Sequence, residues 1–538
     1  MRRRLMLLVF VGLLAGPPAV AGPSVETSGR TLSPDLERRC AALDRRGLRD
    51  VVQATPCVPA AVPAERSSAQ DPGSCRTTPG TPARCPRRVA AAGSFSGGVW
   101  NGALLPDGGA VIYGTDYSRR SGWRIAGLRP DGTTRWAATH NGAGLAAASE
   151  LVDKARGVIV SGFARTPRTQ FVVRRYDTTT GALQWATSPK VPSGGESIGF
   201  DMATSGDGRT VIVAGYTHKR FSDARPLIVA FDVRTGQIRW TQTLRAEPGE
   251  LGVYHLTTSR DGRIVYAAGE TWGEDPDPFV VALEAASGRV RWRSRLPGPA
   301  NRLESIYDIA LSADGRSLVI AGEAYLPEYL SSSKLLIGLE AASGEQRWRI
   351  GGALPVEGEY GWFDFPVTGP SSVIAVSQAW VGAYAYDPGA TVWVRGPDTT
   401  AVMAVDPGTG AVLWNSLMSH APGGMLASAR IALDRSGERL YLAGAEARVG
   451  GYVAVARAAY GDAEASDLVV HALDAKTGAA VWRSAYNSSP NVPHSLTPGG
   501  VQVGRDGVHV FTSVTPLRYA APAVYTWERS GAWLTYDH

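Results

Sequence analysis

An all-β propeller of eight four-stranded antiparallel blades is the fold class this sequence predicts, on three observations. A motif ending in tryptophan recurs through most of the 538 residues, a tight turn followed by an apolar run recurs upstream of it, and the interval between copies suits one blade each. The motif reads: a residue that is usually small, any residue, Asp or Glu, two residues, Thr or Ser, Gly, three residues, Trp. It occupies 175–185, 230–240, 282–292, 338–348, 404–414 and 472–482, with a shortened form at 129–136 and a degenerate one at 527–533. Successive tryptophans from Trp136 to Trp533 stand 49, 55, 52, 56, 66, 68 and 51 residues apart. Such a period fits four-stranded blades with loop insertions better than helical repeats.

Each element has its own justification. Asp207-Gly208, Asp261-Gly262 and Asp314-Gly315 make tight turns, because glycine takes positive φ at no steric cost. The apolar runs that follow them suit strands packed on both faces. In one worked blade, strands are expected at 307–311, 318–321, 334–339 and 345–350, with turns at 314–315 and 343–344. A lone blade leaves both faces wet, so neighbours must stack and the ring must close. Trp136, Trp185, Trp240, Trp292, Trp348, Trp414, Trp482 and Trp533 are therefore assigned a structural task. Each lays a flat indole between blades, and each N–H needs one partner. Eight repeats give eight blades from about Phe95 to His538; seven is the alternative if the last repeat is only a closing half.

The recurrent motif, as in Ala230–Trp240 and Ala472–Trp482, resembles the tryptophan-docking repeat of the quinoprotein (PQQ-dependent) dehydrogenases. It also resembles the related PQQ-like repeat proteins of the outer-membrane assembly scaffold type. The resemblance covers about 95–538 and implies the propeller fold; activity does not follow from it, since enzymes and non-catalytic scaffolds share the repeat. The dehydrogenase branch implies a vicinal Cys-Cys pair, and in some members a CxxCH haem site. The body after Cys85 contains no cysteine, so neither has a counterpart here. PQQ and a divalent cation are the cofactors the resemblance suggests, without a specific motif for either.

The first 94 residues read differently. Arg2, Arg3 and Arg4, an apolar run over 5–14 and the small residues at 19–21 form an export signal too short to be a permanent span, which makes the chain secreted or extracytoplasmic. Residues 22–94 read as a leader, with a helix over 33–53 capped by Ser33 and then a Pro- and Ala-rich linker. It holds all four cysteines, Cys40, Cys57, Cys75 and Cys85. In an exported chain these suggest disulfides; Cys40–Cys57 and Cys75–Cys85 close the shorter loops. A four-thiolate zinc site would need a CxxC pair, which is missing. The division is thus signal 1–21, leader 22–94 and propeller 95–538.

The formal charge of +6 is concentrated at this end. Three signal arginines, and eleven arginines against seven acids in 22–94, account for more than all of it, so the body is near neutral. Nucleic-acid binding calls for a basic stripe, and the body's balance gives no sign of one.

Alternating strand direction puts A–B and C–D turns on one rim, B–C and D–A connections on the other. The second rim carries the long insertions, 217–226, 271–278, 324–333, 378–400 and 445–467, with Trp380, Trp393 and Arg395 among them. Loops on a rigid scaffold are where binding resides. Within that rim Glu196, Glu250, Glu304 and Glu359 recur at 54, 54 and 55 residues, each 10–12 after a tryptophan. Two readings stand: a site at the channel mouth for a metal or cationic ligand, with His494 at the same offset after Trp482, or a repeated structural contact. His140 and His420 are placed in comparable D–A loops, and Asp201 and His255 on the channel side of strand A. No Gly-x-Ser-x-Gly, phosphate loop, HExxH or calcium loop is present. The expected function is a binding or interaction module taking a protein, glycan or small molecule at this rim. The alternative is a quinoprotein-like oxidoreductase or metal-assisted enzyme at the channel mouth.

Overall fold

The computed structural model describes residues 74–76, 86, 88–96, 98–116, 122–140, 146–152, 155–164, 169–190, 195–219, 224–244, 250–271, 277–298, 303–326, 331–351, 360–380, 385–387, 392–394, 398–418, 426–447, 466–487, 494–516 and 530–536. Their strands form eight blades of four antiparallel strands. Blade 1 comprises Gly98–Leu104, Ala110–Asp116, Gly122–Leu128 and Thr134–His140; blade 2, Ala146–Val152, Gly157–Ala164, Gln170–Asp177 and Leu183–Thr187. Blade 3 comprises Glu196–Thr204, Thr210–His218, Arg225–Asp232 and Ile238–Thr243; blade 4, Glu250–Thr258, Ile264–Thr271, Pro278–Glu284 and Val290–Arg295. Blade 5 comprises Leu303–Leu311, Ser317–Leu326, Ser331–Glu340 and Gln346–Gly351; blade 6, Tyr360–Thr368, Val373–Trp380, Asp398–Val405 and Val412–Met418. Blade 7 comprises Leu426–Leu433, Arg439–Ala447, Ser466–Asp474 and Ala480–Asn487. The strands of blade 5 outrun the apolar segments expected from sequence, because backbone pairing continues towards the rim.

The first strands of consecutive blades touch one another all the way round, and that of blade 8 touches that of blade 1, so the ring is closed. Blade 8 itself is built from both ends of the chain. His494–Val503, Val508–Pro516 and Ser530–Tyr536 supply three strands, and Arg88–Ser96 pairs with Ser530–Tyr536 as the fourth. This moves the start of the propeller seven residues before Phe95, into the stretch assigned to the leader. A second leader segment, Ser74–Arg76, pairs with the outer strand of blade 7 as a fifth strand there. Cys40, Cys57, Cys85 and the helix expected over 33–53 lie outside the described residues.

The motif explains itself in the packing. The Asp232 carboxylate accepts hydrogen bonds from Arg234 N, Thr235 N and Thr235 Oγ1 at 2.8–3.0 Å, which fixes the C–D turn. Gly236 has φ +70°, and a Cβ there would come within 2.5 Å of the Trp185 indole of the preceding blade. The glycine thus meets two demands at once, a left-handed turn and an indole lying against it. Trp185 Nε1 then donates to Val233 O at 3.0 Å. The same bond links Trp136 to Thr178 O, Trp240 to Ala285 O, Trp292 to Ala341 O, Trp348 to Pro407 O and Trp414 to Ala475 O, at 2.8–3.1 Å.

The pattern changes where the ring closes. Trp482 stacks on Tyr536 at 5.9 Å between centroids. Trp533 lies on the third strand of blade 8, not the outermost, and its indole donates to His509 Nδ1 at 3.0 Å. It is a core residue of the closing blade, with a different task from the other indoles. Between blades, apolar side chains fill the space; Ile228, Val281, Val265 and Phe279 of blades 3 and 4 form one such cluster, all fully buried.

Candidate functional site

A register break interrupts the innermost strand of every blade at the same height. It falls between Val99 and Asn101, Ala146 and Ala148, Gly199 and Asp201, Val253 and His255, and Ile306 and Asp308 in blades 1 to 5. It falls between Asp364 and Val367, Ala427 and Arg430, and Pro498 and Gly500 in blades 6 to 8. An extra residue at such a bulge re-aims its side chain out of the regular alternation. Asp201 and His255, singled out from sequence, occupy equivalent positions in adjacent blades, and Asp308 extends the series.

These side chains stitch blade to blade. Asp201 accepts Met202 N and, from blade 4, Leu256 N, both at 2.8 Å. His255 Nδ1 lies 3.8 Å from Asp308 Oδ1 of blade 5. Arg430 donates to Ala429 O and, in blade 8, to Gly499 O. Gln502 of blade 8 accepts Leu104 N and donates to Gly102 O of blade 1. The residue after the conserved-register glycine on strand B adds two acids, Glu270 and Glu323. Glu270 is buried and accepts Ile306 N of blade 5 at 2.8 Å, and Tyr307 donates its hydroxyl to Glu323.

Blades 3 to 5 therefore hold an acidic inner sector whose ionisation is costly. Burial pushes Asp201 up to about 6 even though two backbone N–H bonds favour its charged form. Glu270 is pushed up to about 7, first by burial, with the neighbouring Glu323 adding to it. His255 is pushed down to about 4 by burial.

These shifts set a pH dependence. The folded state holds Glu270 protonated to higher pH than the unfolded chain, so its stabilising contribution is full below about 4.5 and is lost as pH rises towards 7. Asp201 acts in the same direction, whereas His255 weakens the fold as pH falls from 6.5 towards 4. Glu270→Gln keeps an acceptor for Ile306 N and removes the charge. It is expected to exceed the parent in stability by about 3 kcal/mol at pH 8, with little difference at pH 4.5. Thermal melts at the two pH values check this; an equal difference at both would contradict the buried-carboxylate account.

Of the recurrent glutamates, Glu196 and Glu304 have described side chains, and each makes contacts of its own. Glu304 is fully buried inside blade 5, where Arg349 donates to it at 2.8 Å. Arg349 follows Trp348, and a Cβ on Gly298 would lie 1.5 Å from Glu304 Oε1, so the incoming backbone seals the pair. Blade 7 builds the same pair with the acid moved one strand over. Glu304 sits opposite Ala324 in blade 5, while in blade 7 Leu426 sits opposite Glu446, and Glu446 pairs with Arg483 after Trp482. Glu196 makes looser contacts, 4.0 Å to His218 Nε2 and 3.5 Å from Thr169 N. Glu250 and His494 open their strands, and Glu359 and His420 lie outside the described residues. No group of three His, Cys, Asp or Glu side chains among the described residues is placed to hold a metal ion. His140 proves not to be a loop residue; it ends the outer strand of blade 1.

The rims differ as well. Asp-Gly and Thr-Gly turns close the A–B and C–D side, as in the bonds Gly208 N to Ser205 O and Gly236 N to Asp232 O. The opposite side carries the longer connections; the one between Trp380 and Asp398 includes a small hairpin, Ala385–Asp387 with Val392–Val394. Those over 217–226 and 324–333 are shorter than the sequence suggested, since the flanking strands reach to His218 and Leu326. No helix among the described residues is long and apolar enough to cross a membrane.

A family model described as outer membrane protein assembly factor BamB matches residues 169–359 and 280–467. Among solved structures, the quinohemoprotein alcohol dehydrogenase of Comamonas testosteroni aligns with 84% of this chain and 76% of its own, at 12% identity and a TM-score of 0.49. A europium-containing methanol dehydrogenase aligns with 84% of this chain and 93% of its own, at 11% identity and 0.45. The WD40 domain of SCAP from fission yeast aligns with 84% and 98%, at 9% identity and 0.44. The search of curated proteins gave no match.

Pyrroloquinoline quinone carries three carboxylates, and a calcium ion beside it asks for six or more oxygen ligands. In the inner sector of blades 3 to 5, Asp201 and Glu270 hold their protons to about 6 and 7 and already accept backbone N–H groups, which leaves them poor ligands for such an ion. The described residues do not fit that cofactor pair.

Proposed function

Because the chain belongs to the family described as outer membrane protein assembly factor BamB, we propose that it is an extracytoplasmic scaffold, which binds a protein partner through the rim of B–C and D–A connections. The observation that carries this reading is the asymmetry of the rims. One is closed by short, internally hydrogen-bonded turns that recur from blade to blade. The other departs from the repeat, with the hairpin insertion of blade 6 and the 448–465 connection of blade 7.

The chemistry of those departures supports a protein as the ligand. They carry Tyr384, Tyr386, Trp393 and Arg395 in blade 6, and Tyr452, Arg457 and Tyr460 in blade 7. Tyrosine, tryptophan and arginine are the side chains enriched where proteins bind one another. The inner strands, by contrast, spend their polar groups on one another, which suits a rigid support better than a reaction site. The export signal and the clustered cysteines support an extracytoplasmic place.

A photo-reactive amino acid tests the face. Placed at Trp393, it is expected to give a discrete protein adduct in the native envelope, whereas the same group at exposed Arg234 on the tight-turn rim gives none. Equal labelling from both positions, or none from either, would overturn the proposal. Dye-linked alcohol oxidation on adding the quinone and calcium would move the chain to the oxidoreductase class.

A further inference from the structure

We propose that the interface between blades 1 and 2 is a carboxylate-binding site, with Trp123 Nε1, the Arg174 guanidinium and His140 Nε2 as its donors. The three groups lie together. Trp123 and His140 pair across adjacent strands of blade 1, with ring centroids 5.4 Å apart and planes at 85°. Arg174 of blade 2 places its guanidinium carbon 5.9 Å from the Trp123 ring centroid.

Each of the three keeps one buried nitrogen without an acceptor. Trp123 is 1% exposed, and its Nε1, His140 Nε2 and Arg174 Nε are all sequestered from solvent without a hydrogen-bond partner. An indole N–H and a guanidinium are donors only, and the imidazole Nε2 donates in the tautomer that protonates it. The face of the indole offsets part of the guanidinium's desolvation but uses none of its N–H groups.

Arg174 is also a departure from the repeat, not a product of it. It stands opposite Val160, and the residues in the same register are Ala126, Val229, Val281, Ile337 and Met403 in blades 1, 3, 4, 5 and 6, all buried and apolar. His471 in blade 7 is the other polar exception. Strand alternation sends neighbouring Arg175 to the opposite interface, where it donates to Val233 O of blade 3. Arg174 instead lies over Trp123 of blade 1, whose apolar cluster also holds Ile125 and, from blade 2, Val160 and Val172. A half-buried cation whose Nε has no acceptor gains from an anion that completes it.

The donor set selects the anion. His140 is held neutral by burial and by the guanidinium beside it, so Arg174 supplies one positive charge at neutral pH. One charge on a planar fork matches one planar carboxylate, whereas a phosphate dianion would leave excess charge in an apolar interface.

Propionate, phosphate and chloride at matched ionic strength, added to the full chain, test the site by thermal shift and calorimetry. Propionate is expected to raise the melting temperature saturably, and chloride not to. Arg174→Gln should weaken propionate binding at least tenfold while melting no lower than the parent in carboxylate-free buffer, since it removes an uncompensated charge. Trp123→Phe, which keeps the packing and loses the N–H, should weaken binding severalfold. An unresponsive parent, a response to phosphate alone, or unchanged propionate binding in both variants would overturn the proposal. So would a marked loss of stability in Arg174→Gln without ligand, which a purely structural arginine predicts.

Discussion

A chain beginning at Gly97 is expected to lose cooperative unfolding, while one beginning at Arg87 keeps it. The difference is the strand Arg88–Ser96, which runs antiparallel to Ser530–Tyr536 from Arg88 opposite Thr535 to Ser96 opposite Ser530. Without it the third strand of blade 8 becomes an open edge, and the ring loses the hydrogen-bonded pairing that ties the two ends of the chain together in that blade. Trp533, Leu534 and Tyr536 are fully buried on the exposed strand, and Tyr536 is the surface on which Trp482 of blade 7 stacks. Six paired positions at about 1 kcal/mol each come to about 6 kcal/mol, comparable with the whole net stability of a typical domain. The shorter chain should melt at lower temperature over a broadened transition and aggregate through its free edge. Melting curves and limited proteolysis of the two chains decide it. Superimposable curves would mean that seven and three-quarter blades suffice.

That closure was not legible in the sequence, whereas the blades were, and the reason is physical. The Asp–Thr–Gly–Trp signature is a local device: Asp232 orders its own turn, and Gly236 and Trp185 meet across a single interface. Any device repeated at every interface leaves a period. Closure happens once, between residues more than four hundred positions apart, and the strand RVAAAGSFS that completes blade 8 packs against blade 1 without the tryptophan and Thr-Gly turn of the other outer strands. Trp533 was misplaced for the same reason: the outer strand of blade 8 comes from the other end of the chain, so the last copy of the motif falls on the third strand.

The inner belt was half visible. Asp201, His255 and Asp308 recur at 54 and 53 residues, but an extra residue in a strand leaves no composition signal, so the bulges that aim them emerge only from the pairing. Trp-Arg at 292–293, 348–349 and 482–483 was equally visible as a dipeptide. Its meaning depends on which strand brings the acid, strand A at Glu304 or strand B at Glu446, and a linear pattern does not carry that choice. Arg174 was invisible for the opposite reason: a single exception has no period.

Glu304→Gln is expected to cost about 3–5 kcal/mol, because it strands the largely buried Arg349 without its counter-charge. The sign is what matters. Were the recurrent glutamates an ion site, removing one charge would relieve repulsion and raise stability in metal-free buffer. A sealed pair predicts the reverse, and predicts in addition that replacing both partners, Glu304→Leu with Arg349→Met, recovers most of the loss, since apolar residues of similar volume dispense with two desolvation penalties. Gly298 sharpens the test: with a Cβ position 1.5 Å from the carboxylate oxygen, Gly298→Ala should displace Glu304 and mimic the single variant, though no charge has changed. Denaturant melts of the two singles, the double and Gly298→Ala measure the coupling. Additive effects of the two singles would leave Glu304 and Arg349 as independent residues. The stability of the blade would then have to come from its apolar faces alone.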